Sequence, residues 1–387
     1  MTPAARIAAA IEILDQIGDG APAEQVLTRW ARSNRFAGSS DRAAIRDHVF
    51  DVLRMRRSAA WLGGAGTGRG LMIGLLRGQG LDPATFFTGE GHAPAPLLEH
   101  ETAAPQGEMP QADAWNLPDW LAAQFAADLG EDAARTALEL QGRAPVTLRV
   151  NTVKTNASDA IFMLQSAGIE TVGNRLAPSA LTVTSGSRKL RNSPAYLEGF
   201  IELQDASSQA VVAALPEAGR VLDYCAGGGG KALGIAARGG VTVFAHDMDP
   251  ARMGDIPARA ARAGAQITRL EQSGIASEAP FDLVLVDAPC SGSGSWRRAP
   301  EAKWRLTVQQ LEQTMALQDR ILDAASALVG AGGTLVYATC SILTSENSAR
   351  VEAFLARHPH WQCIWSKTFP VSDLGDGFFT AHLMQHE

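Results

Sequence analysis

Hydrophobic positions in the first third of the chain recur with the period of an α-helix. The spacing i, i+4, i+7 of one buried face is shared by Ile7, Ile11 and Leu14 and, further on, by Ile45, Val49, Val52 and Leu53. Gly and Pro are frequent at about 63–112, which predicts irregular backbone there. A helical rhythm then resumes over 115–140. We therefore expect an all-helical domain over residues 1–140 that contains a loose segment at about 63–112.

A change of period marks the next part of the chain. Residues 146–150, 181–184 and 200–203 have the pattern of strands, whereas residues 158–167 have a helical pattern. This combination predicts a small α/β module over residues 145–205.

The rest of the chain, 206–387, alternates between short apolar runs and helical patterns. Strands are predicted at 220–224, 241–246, 281–286 and 333–338, with helices starting near residues 231 and 250 and others at 307–328 and 346–357. Such alternation predicts a parallel sheet with helices on both faces, a Rossmann-like α/β fold. The tail at 377–383 alternates like a strand and is expected to join antiparallel at an edge of the sheet.

A glycine loop follows the first of these strands, in the run Cys225-Ala226-Gly227-Gly228-Gly229-Gly230-Lys231. Consecutive glycines let the backbone approach a ligand closely. A phosphate-binding P-loop fits poorly, because Cys225 and Ala232 stand where its first glycine and its Ser or Thr belong. The GxGxxG pattern fails at Lys231. Asp247 ends the next strand, where a carboxylate holds a ribose. The loop therefore favours a nucleoside cofactor without a phosphate chain.

Three cysteines follow predicted strands. Cys290 lies in Asp287-Ala288-Pro289-Cys290-Ser291, Cys340 lies in Tyr337-Ala338-Thr339-Cys340-Ser341, and Cys225 opens the glycine loop. The carboxyl ends of parallel strands face one ligand crevice. We therefore expect these thiols to converge on a single site. The fourth cysteine, Cys363, is expected to be a small buried hydrophobic residue.

Composition narrows the class of protein. The chain has 387 residues, which favours two or three domains. Its four cysteines show no CxxC and no Cys/His ligand spacing, so neither a disulfide framework nor a metal site is expected. The start has no signal-peptide layout and no apolar run approaches the length of a membrane span, so we expect a cytoplasmic location and no membrane partner.

The formal net charge of −7 argues weakly against a nucleic-acid partner, because proteins that bind nucleic acid usually present a basic surface. The distribution of charge alters this picture. A basic group lies just after Cys290 and contains Arg297, Arg298, Lys303 and Arg305. This position beside a candidate nucleophile favours contact with a substrate.

Taken together, these motifs resemble the RsmB/Nol1/Nop2/Sun family of RNA (cytosine-5)-methyltransferases. The matching stretches are 204–209, 223–231, 287–294, 297–301, Lys303-Trp304, 339–341, Glu346-Asn347 and 375–379, and they cover the chain from Gly199 onward. The N-terminal part resembles the NusB-like RNA-binding domain of the bacterial RsmB-type members, through Ser40-Asp41-Arg42-Ala43 and Val52-Leu53-Arg54. This favours the bacterial rRNA branch, which acts on 16S rRNA.

The resemblance implies a function and roles for residues. It implies S-adenosylmethionine-dependent methylation of cytosine C5 in RNA, most often rRNA, by a monomer that requires no metal. Cys340 would add to C6 of the base, Cys290 would assist product release, and Asp287 and Lys231 would complete the catalytic group. The cofactor residues would be Cys225, Ala226, Gly227, Gly228, Gly229, Gly230, Lys231, Asp247, Ser273 and Asp287. The RNA contacts would be Arg297, Arg298, Lys303 and Trp304, although Trp304 fits a core position equally well.

This chain departs from the family pattern at the cofactor. The family often has Ala-Pro where this chain has Gly227-Gly228, and Thr where it has Ala232. The extra glycine is expected to cost loop rigidity. The family usually places an Asp on the adenine amino group, and by spacing that place falls at Ser273, beside Gln272.

Four alternatives remain open from the sequence. Another RNA, such as tRNA, could be the substrate of the same reaction. A uracil-C5 methyltransferase needs one cysteine nucleophile and leaves Cys290 unexplained. A non-catalytic RNA-binding protein of ribosome assembly leaves the whole set of Cys290, Cys340, Asp287 and Lys231 unexplained. A DNA methyltransferase is disfavoured because the modules ahead of the sheet suit structured RNA.

Overall fold

A computed structural model describes residues 1–386, and the chain divides into two compact units. The first unit contains Met1–Gly142 together with Trp296–Arg305. The second contains Arg143–Ser295 and the chain from Leu306 onward. Residues 296–305, predicted within the methyltransferase domain, are grouped by their contacts with the helical unit. The predicted 145–205 module and the Rossmann-like part lie in the same unit.

The first unit is helical. Its helices are α1 (Pro3–Gly18), α2 (Ala23–Ser33), α3 (Ser39–Arg54), α4 (Arg56–Gly63), α5 (Gly68–Gly78), α6 (Gln111–Trp115), α7 (Asp119–Leu129), α8 (Ala133–Glu139) and, from the later segment, α15 (Glu301–Arg305). Helix α1 begins where Thr2 accepts a hydrogen bond from the Ala5 amide. The predicted apolar faces supply the core, with Ile7, Ile45 and Val49 almost fully buried. The resemblance to a NusB-like domain stays a prediction.

Helix α5 corrects the prediction of a loose segment over 63–112. The helix runs through glycines that the sequence reading took as breakers, and its Met72 and Ile73 are fully buried. Gly74 permits the contact with α4, because a Cβ there would lie 1.8 Å from the Ala59 carbonyl oxygen. Here glycine serves close packing of two helices, which outweighs its low helix propensity.

The second unit opens with a four-stranded antiparallel sheet in the order β2-β3-β1-β4. Its elements are β1 (Val146–Val150), α9 (Ala157–Ser166), β2 (Glu170–Gly173), β3 (Ala180–Ser185), α10 (Pro194–Leu197) and β4 (Ile201–Leu203). Leu148 and Val150 of β1 pack with Leu164 of α9 in its core. This sheet lies within the predicted small module.

The larger sheet has seven strands in the order β10-β11-β9-β8-β5-β6-β7. The elements are α11 (Ala206–Ala213), β5 (Arg220–Asp223), α12 (Gly230–Ala236), β6 (Thr242–Ala245), α13 (Ile256–Ala263), β7 (Ile267–Arg269), α14 (Ile275–Glu278), β8 (Phe281–Asp287), α16 (Val308–Ser326), β9 (Val329–Thr339), α17 (Ser348–Arg357), β10 (Trp361–Phe369) and β11 (Phe378–Gln385). Strands β5 to β9 pair in parallel, and apolar clusters cover both faces of the sheet. The predicted Rossmann-like α/β fold is confirmed.

The tail strand is antiparallel, as predicted, but it is not at the edge. Strand β11 lies between β9 and β10, so β10 forms the edge. The sequence reading missed β10 because its interior, 362–368, is exposed and carries no buried periodicity. Cys363 lies in this strand and is exposed, so the expectation of a buried Cys363 was wrong.

Strand register sets the position of the candidate site. Asp287 at the end of β8 pairs with Ala338 of β9, and Asp223 at the end of β5 pairs with Leu285 of β8. The loops after these three strands therefore leave the sheet at one edge. Among residues 1–386, no helix is both long and apolar enough to cross a bilayer, and no group of three or more His, Cys, Asp or Glu side chains is arranged to hold a metal.

Candidate functional site

Two cysteine sulfurs meet at the carboxyl edge of the large sheet. Cys290 follows β8, Cys340 follows β9, and their Sγ atoms lie 3.4 Å apart. The backbone fixes the two loops, because the Ala288 amide donates to the Ala338 carbonyl and the Gly294 amide donates to the Cys340 carbonyl, at 2.8 Å and 2.9 Å. The spacing allows a hydrogen bond between two thiols and is longer than a disulfide. The expected convergence of Cys290 and Cys340 is therefore present in the structure.

The two thiols differ in acidity. The hydrogen bond from the Cys290 S–H lowers the pKa of Cys340, although burial and the charge of Asp287 oppose the change. The same contact, together with burial, raises the pKa of Cys290 well above that of an ordinary thiol. Cys340 therefore becomes a thiolate more readily, and Cys290 keeps its proton.

The contact between the thiols predicts how Cys340 reacts at different pH. We expect iodoacetamide to alkylate Cys340 with a midpoint below that of an ordinary thiol, because the thiolate is the reactive form and the pKa of Cys340 is lowered. Cys290→Ala removes the S–H donor and should raise that midpoint. Mass spectrometry of the Cys340 peptide, sampled at early times across a pH series, measures the rate. An unchanged midpoint in the variant would contradict the assignment of donor and acceptor.

A buried ion pair lies beside the cysteines. Lys231, in the first turn of α12, places Nζ 2.6 Å from Oδ2 of Asp287 and 5.0 Å from the centre of the Phe378 ring. Burial disfavours the charged lysine, but the neighbouring Asp287 outweighs it, so the pKa of Lys231 is raised. Its positive charge also helps to lower the pKa of Cys340. The structure therefore brings Lys231, Asp287, Cys290 and Cys340 together.

The glycine loop turns the chain from β5 into α12. Gly227 and Gly229 have φ values of +49° and +78°, which glycine adopts without strain. A Cβ on Gly229 would also lie 2.8 Å from the Ile256 side chain. The Gly227 amide donates to Oδ2 of Asp247 at 2.9 Å, so the predicted ribose carboxylate is in contact with the loop itself.

Arginines from two neighbouring elements hold this flexible loop. Arg149 of β1 donates to the Gly230 carbonyl at 2.7 Å, and Arg259 of α13 donates to the Gly228 carbonyl. Glu202 of β4 lies 3.6 Å from Arg259 and balances its charge. These hydrogen bonds restrain the loop backbone and so compensate for the flexibility that the extra glycine adds. Sequence reasoning missed Arg149 because it lies in the small module, far along the chain from the loop.

A cavity of about 330 Å³ lies next to the glycine loop. It is lined by Tyr224, Cys225, His246, Asp247, Met248, Asp249, Arg252, Gln272, Pro289, Leu317 and Ile321. The predicted adenine partner, Ser273, is exposed and is not part of this lining, whereas the adjacent Gln272 is. The sequence offered a signal for Gln272, since a side-chain amide can hydrogen-bond an adenine edge as an Asp does.

Burial also shapes the acidity of groups at the loop. Burial, with a contribution from Asp287, raises the pKa of Asp223 to about 7. Burial likewise raises the pKa of Cys225, so this third thiol stays protonated.

The four predicted RNA-contacting residues lie in the first unit. Lys303 is 1% exposed and donates to the Arg54 carbonyl, and burial lowers its pKa to about 7. Arg297 is 2% exposed, and its carbonyl accepts a hydrogen bond from Arg54. Trp304 donates its indole N–H to the Leu53 carbonyl. Buried as they are, Lys303 and Arg297 have no surface with which to hold a phosphate, and only Arg298 of the four is exposed.

Comparisons with known families give two matches. Residues 210–384 match the family described as 16S rRNA methyltransferase RsmB/F. Residues 117–188 match the ferredoxin-like domain of RsmF/B-like methyltransferases. The second match begins well before residue 145, where the small module was predicted to start.

Curated relatives carry the name ribosomal RNA small subunit methyltransferase B. The protein of Xylella fastidiosa strain 9a5c is 35% identical over 293 residues, which cover 70% of this chain and 69% of the relative. The protein of Citrobacter koseri is 36% identical over 259 residues, which cover 63% of this chain. The aligned region spans about 60% of the length of the Citrobacter koseri relative.

Solved structures show the same fold at low identity. The crystal structure of PH0851 aligns with a TM-score of 0.76 and 23% identity and covers 100% of this chain and 99% of that one. A methyltransferase homologue from Pyrococcus horikoshii aligns with a TM-score of 0.63 and 24% identity, over 71% of this chain and 98% of that one. These likenesses support the arrangement of strands and helices described above.

Proposed function

We propose, because the chain belongs to the RsmB/F family of S-adenosylmethionine-dependent methyltransferases, that it methylates carbon 5 of a cytosine in RNA, with 16S rRNA as the substrate. The observation that carries the proposal is the pair of sulfurs, Cys290 and Cys340, 3.4 Å apart at the ends of adjacent strands. A uracil-C5 methyltransferase needs only one of them. A non-catalytic RNA-binding protein needs neither, nor the lowered pKa of Cys340.

The cavity beside the glycine loop suits the cofactor. Its volume of about 330 Å³ lies in the range of small-molecule sites, and the loop carries no side chains that would block close approach. Asp247 and Gln272 line this cavity, and we assign the ribose hydroxyls to Asp247 and the adenine edge to Gln272. When bound, S-adenosylmethionine supplies an electrophilic methyl group.

Cys340 starts the proposed reaction. Carbon 5 of cytosine is a weak nucleophile, so the Cys340 thiolate first forms a bond to C6. The electron pair of the C5–C6 double bond shifts onto C5, where it is conjugated with C4 and N3, and C5 becomes nucleophilic. We expect the Asp287 carboxylate to accept a hydrogen bond from the cytosine amino group, and Lys231 beside it to offset the negative charge that develops on the ring.

Cys290 completes the proposed reaction. After methylation, the C5–H bond breaks, its electron pair restores the C5–C6 double bond, and the C6–S bond returns its pair to Cys340. We propose that Cys290 accepts the proton from C5, and it must do so as a thiolate. The pKa of Cys290 is raised mainly by Cys340, and that influence ends once Cys340 is bonded to carbon, so Cys290 can then release its own S–H proton to water. The pair thus changes roles as the reaction advances.

The target cytosine must leave the base stack to reach the sulfurs. This costs a few kcal/mol, least in loops and other unpaired RNA. We therefore propose an unpaired or readily extruded cytosine of the small-subunit rRNA as the substrate, in agreement with the names of the relatives.

Analysis of the methylated nucleoside tests the proposal. Unmodified 16S rRNA, free or in small subunits, is incubated with the protein and methyl-labelled S-adenosylmethionine, then digested and analysed by mass spectrometry. We expect label in 5-methylcytidine with the native protein and none with Cys340→Ala. Label in 5-methyluridine would support the uracil reading instead. Label in neither nucleoside, with folded protein and either form of the rRNA, would contradict the proposal.

A further inference from the structure

A buried glutamate connects the two cysteine loops. Glu346 is 0% exposed and accepts four hydrogen bonds. Its Oε1 accepts from the Ser291 amide at 2.8 Å and from Nε2 of Gln318 at 3.2 Å. Its Oε2 accepts from the hydroxyls of Ser291 and Ser341. Ser291 follows Cys290 in the chain and Ser341 follows Cys340, so one carboxylate is bonded to both loops.

We propose that Glu346 is a positioning residue that sets the separation of Cys290 and Cys340. The inference rests on the proposed function, in which both sulfurs must reach one cytosine ring. Other contacts also join the loops, including the bond between the Ser293 and Ser341 hydroxyls at 2.9 Å. Glu346 differs from them because it holds the residue next to each cysteine, and because hydrogen bonds to a charged acceptor are the stronger ones.

The charge of Glu346 does not help the nucleophile. Its negative charge acts to raise the pKa of Cys340 and so opposes formation of the thiolate. It acts in the same direction on Cys290. The contribution of Glu346 to the site is therefore geometric.

A geometric role predicts that glutamine can replace Glu346. In Glu346→Gln the amide oxygen can take the Oε1 position and accept from the Ser291 amide and Gln318. The amide NH₂ then faces two serine hydroxyls, which can rotate and accept. Glu346→Ala leaves all four donors without this acceptor. A role as proton acceptor or as a negative charge would be lost in both variants.

The separation of the sulfurs can be measured without RNA. Diamide oxidises two neighbouring thiols to a disulfide and is itself reduced to a hydrazine, and the sulfurs must close from 3.4 Å to about 2.05 Å. We expect the native protein and Glu346→Gln to form the Cys290–Cys340 disulfide at similar rates. Since a misplacement of about 1 Å can cost about 100-fold in rate, we expect Glu346→Ala to form it at least about tenfold more slowly. Peptide mapping by mass spectrometry follows the bond, and exposed Glu352→Ala in α17 serves as the control.

Methylation completes the test. We expect Glu346→Gln to keep most of the native kcat and Glu346→Ala to lose about 10- to 100-fold. If Glu346→Ala does not fold, Ser341→Ala, which removes the hydroxyl that bonds Glu346, Ser293 and the Leu343 amide, should slow disulfide formation in the same direction. Disulfide formation at the native rate in Glu346→Ala, or in Ser341→Ala where the first does not fold, would overturn the inference. Disulfide formation that is as slow in Glu346→Gln as in Glu346→Ala would also overturn the inference. Normal disulfide rates in a native protein that methylates no cytosine would instead overturn the proposed function.

Discussion

Cys290→Ala is expected to leave the protein covalently attached to its RNA, whereas Cys340→Ala should form no attachment. Cys340 has the lowered pKa and would make the bond to C6, so its loss removes the first step. Cys290 lies 3.4 Å away and would take the proton that lets the bond break. Without Cys290 the methylated adduct lacks the group proposed to remove the C5 proton, and it should accumulate to near one RNA per protein.

Denaturing gels with labelled 16S rRNA measure the attachment, because only a covalent complex survives denaturation. Cys363→Ala is the matched control, since Cys363 is exposed on β10 and should leave turnover unchanged. Equal attachment in Cys290→Ala and Cys340→Ala would refute the division of roles. Attachment in Cys340→Ala alone would mean that Cys290 is the nucleophile and Cys340 assists release.

The position of the site could be predicted because its residues lie in short motifs at strand ends. Cys290 and Cys340 follow apolar runs that read as strands, and parallel strands bring their carboxyl ends together. Lys231 starts the helix after the glycine loop, so its approach to the same edge follows from the same rule. This rule on parallel strands predicts that these residues lie at the same edge of the sheet. It does not give the 3.4 Å between the sulfurs, which depends on how the loops are bonded to each other.

The roles of the supporting residues Glu346 and Arg149 could not be predicted from the sequence, because they depend on tertiary contacts. Glu346 stood in a recognised motif, yet a buried carboxylate acquires its role from the donors that surround it. Arg149 contacts the glycine loop from a strand far earlier in the chain, because its partner Gly230 lies 81 residues further along the sequence. No periodicity or motif encodes such a contact, because it arises only when the two sheets of the second unit pack together.

Burial argues against RNA contact by Lys303 and Arg297, whereas contact by Arg298 and Trp304 stays a prediction. Charge next to a nucleophile suggested RNA contact, but tertiary packing decides which unit a short segment joins. Trp296 is 1% exposed and stacks on Phe125 with ring centres 6.0 Å apart, which anchors 296–305 in the helical unit. Lys303 is then buried, and its ammonium is satisfied by the Arg54 carbonyl. Burial of a large aromatic side chain outweighs the cost of burying this lysine.

Replacing Lys231 by methionine is expected to reduce methylation by about 100- to 1000-fold, the scale of losing one preorganised charged group at a reacting centre. Lys231 lowers the pKa of Cys340, so its loss leaves less thiolate at neutral pH. Its loss also leaves the Asp287 carboxylate unpaired beside the nucleophile. The alkylation midpoint of Cys340 should therefore move upward in Lys231→Met, while that of exposed Cys363 stays where it is.

A double variant separates catalysis from stability. Removing one partner of a fully buried ion pair costs about 3–5 kcal/mol. Because the Asp287 side chain is 30% exposed and water can reach it, we expect a smaller loss of about 1–3 kcal/mol in Lys231→Met. Adding Asp287→Asn removes the unpaired charge and should recover most of the unfolding free energy in urea titrations, but not methylation, because the base has lost its carboxylate. Recovery of methylation in the double variant would mean that Lys231 serves only to neutralise Asp287, and that the lysine charge contributes nothing to activation of Cys340.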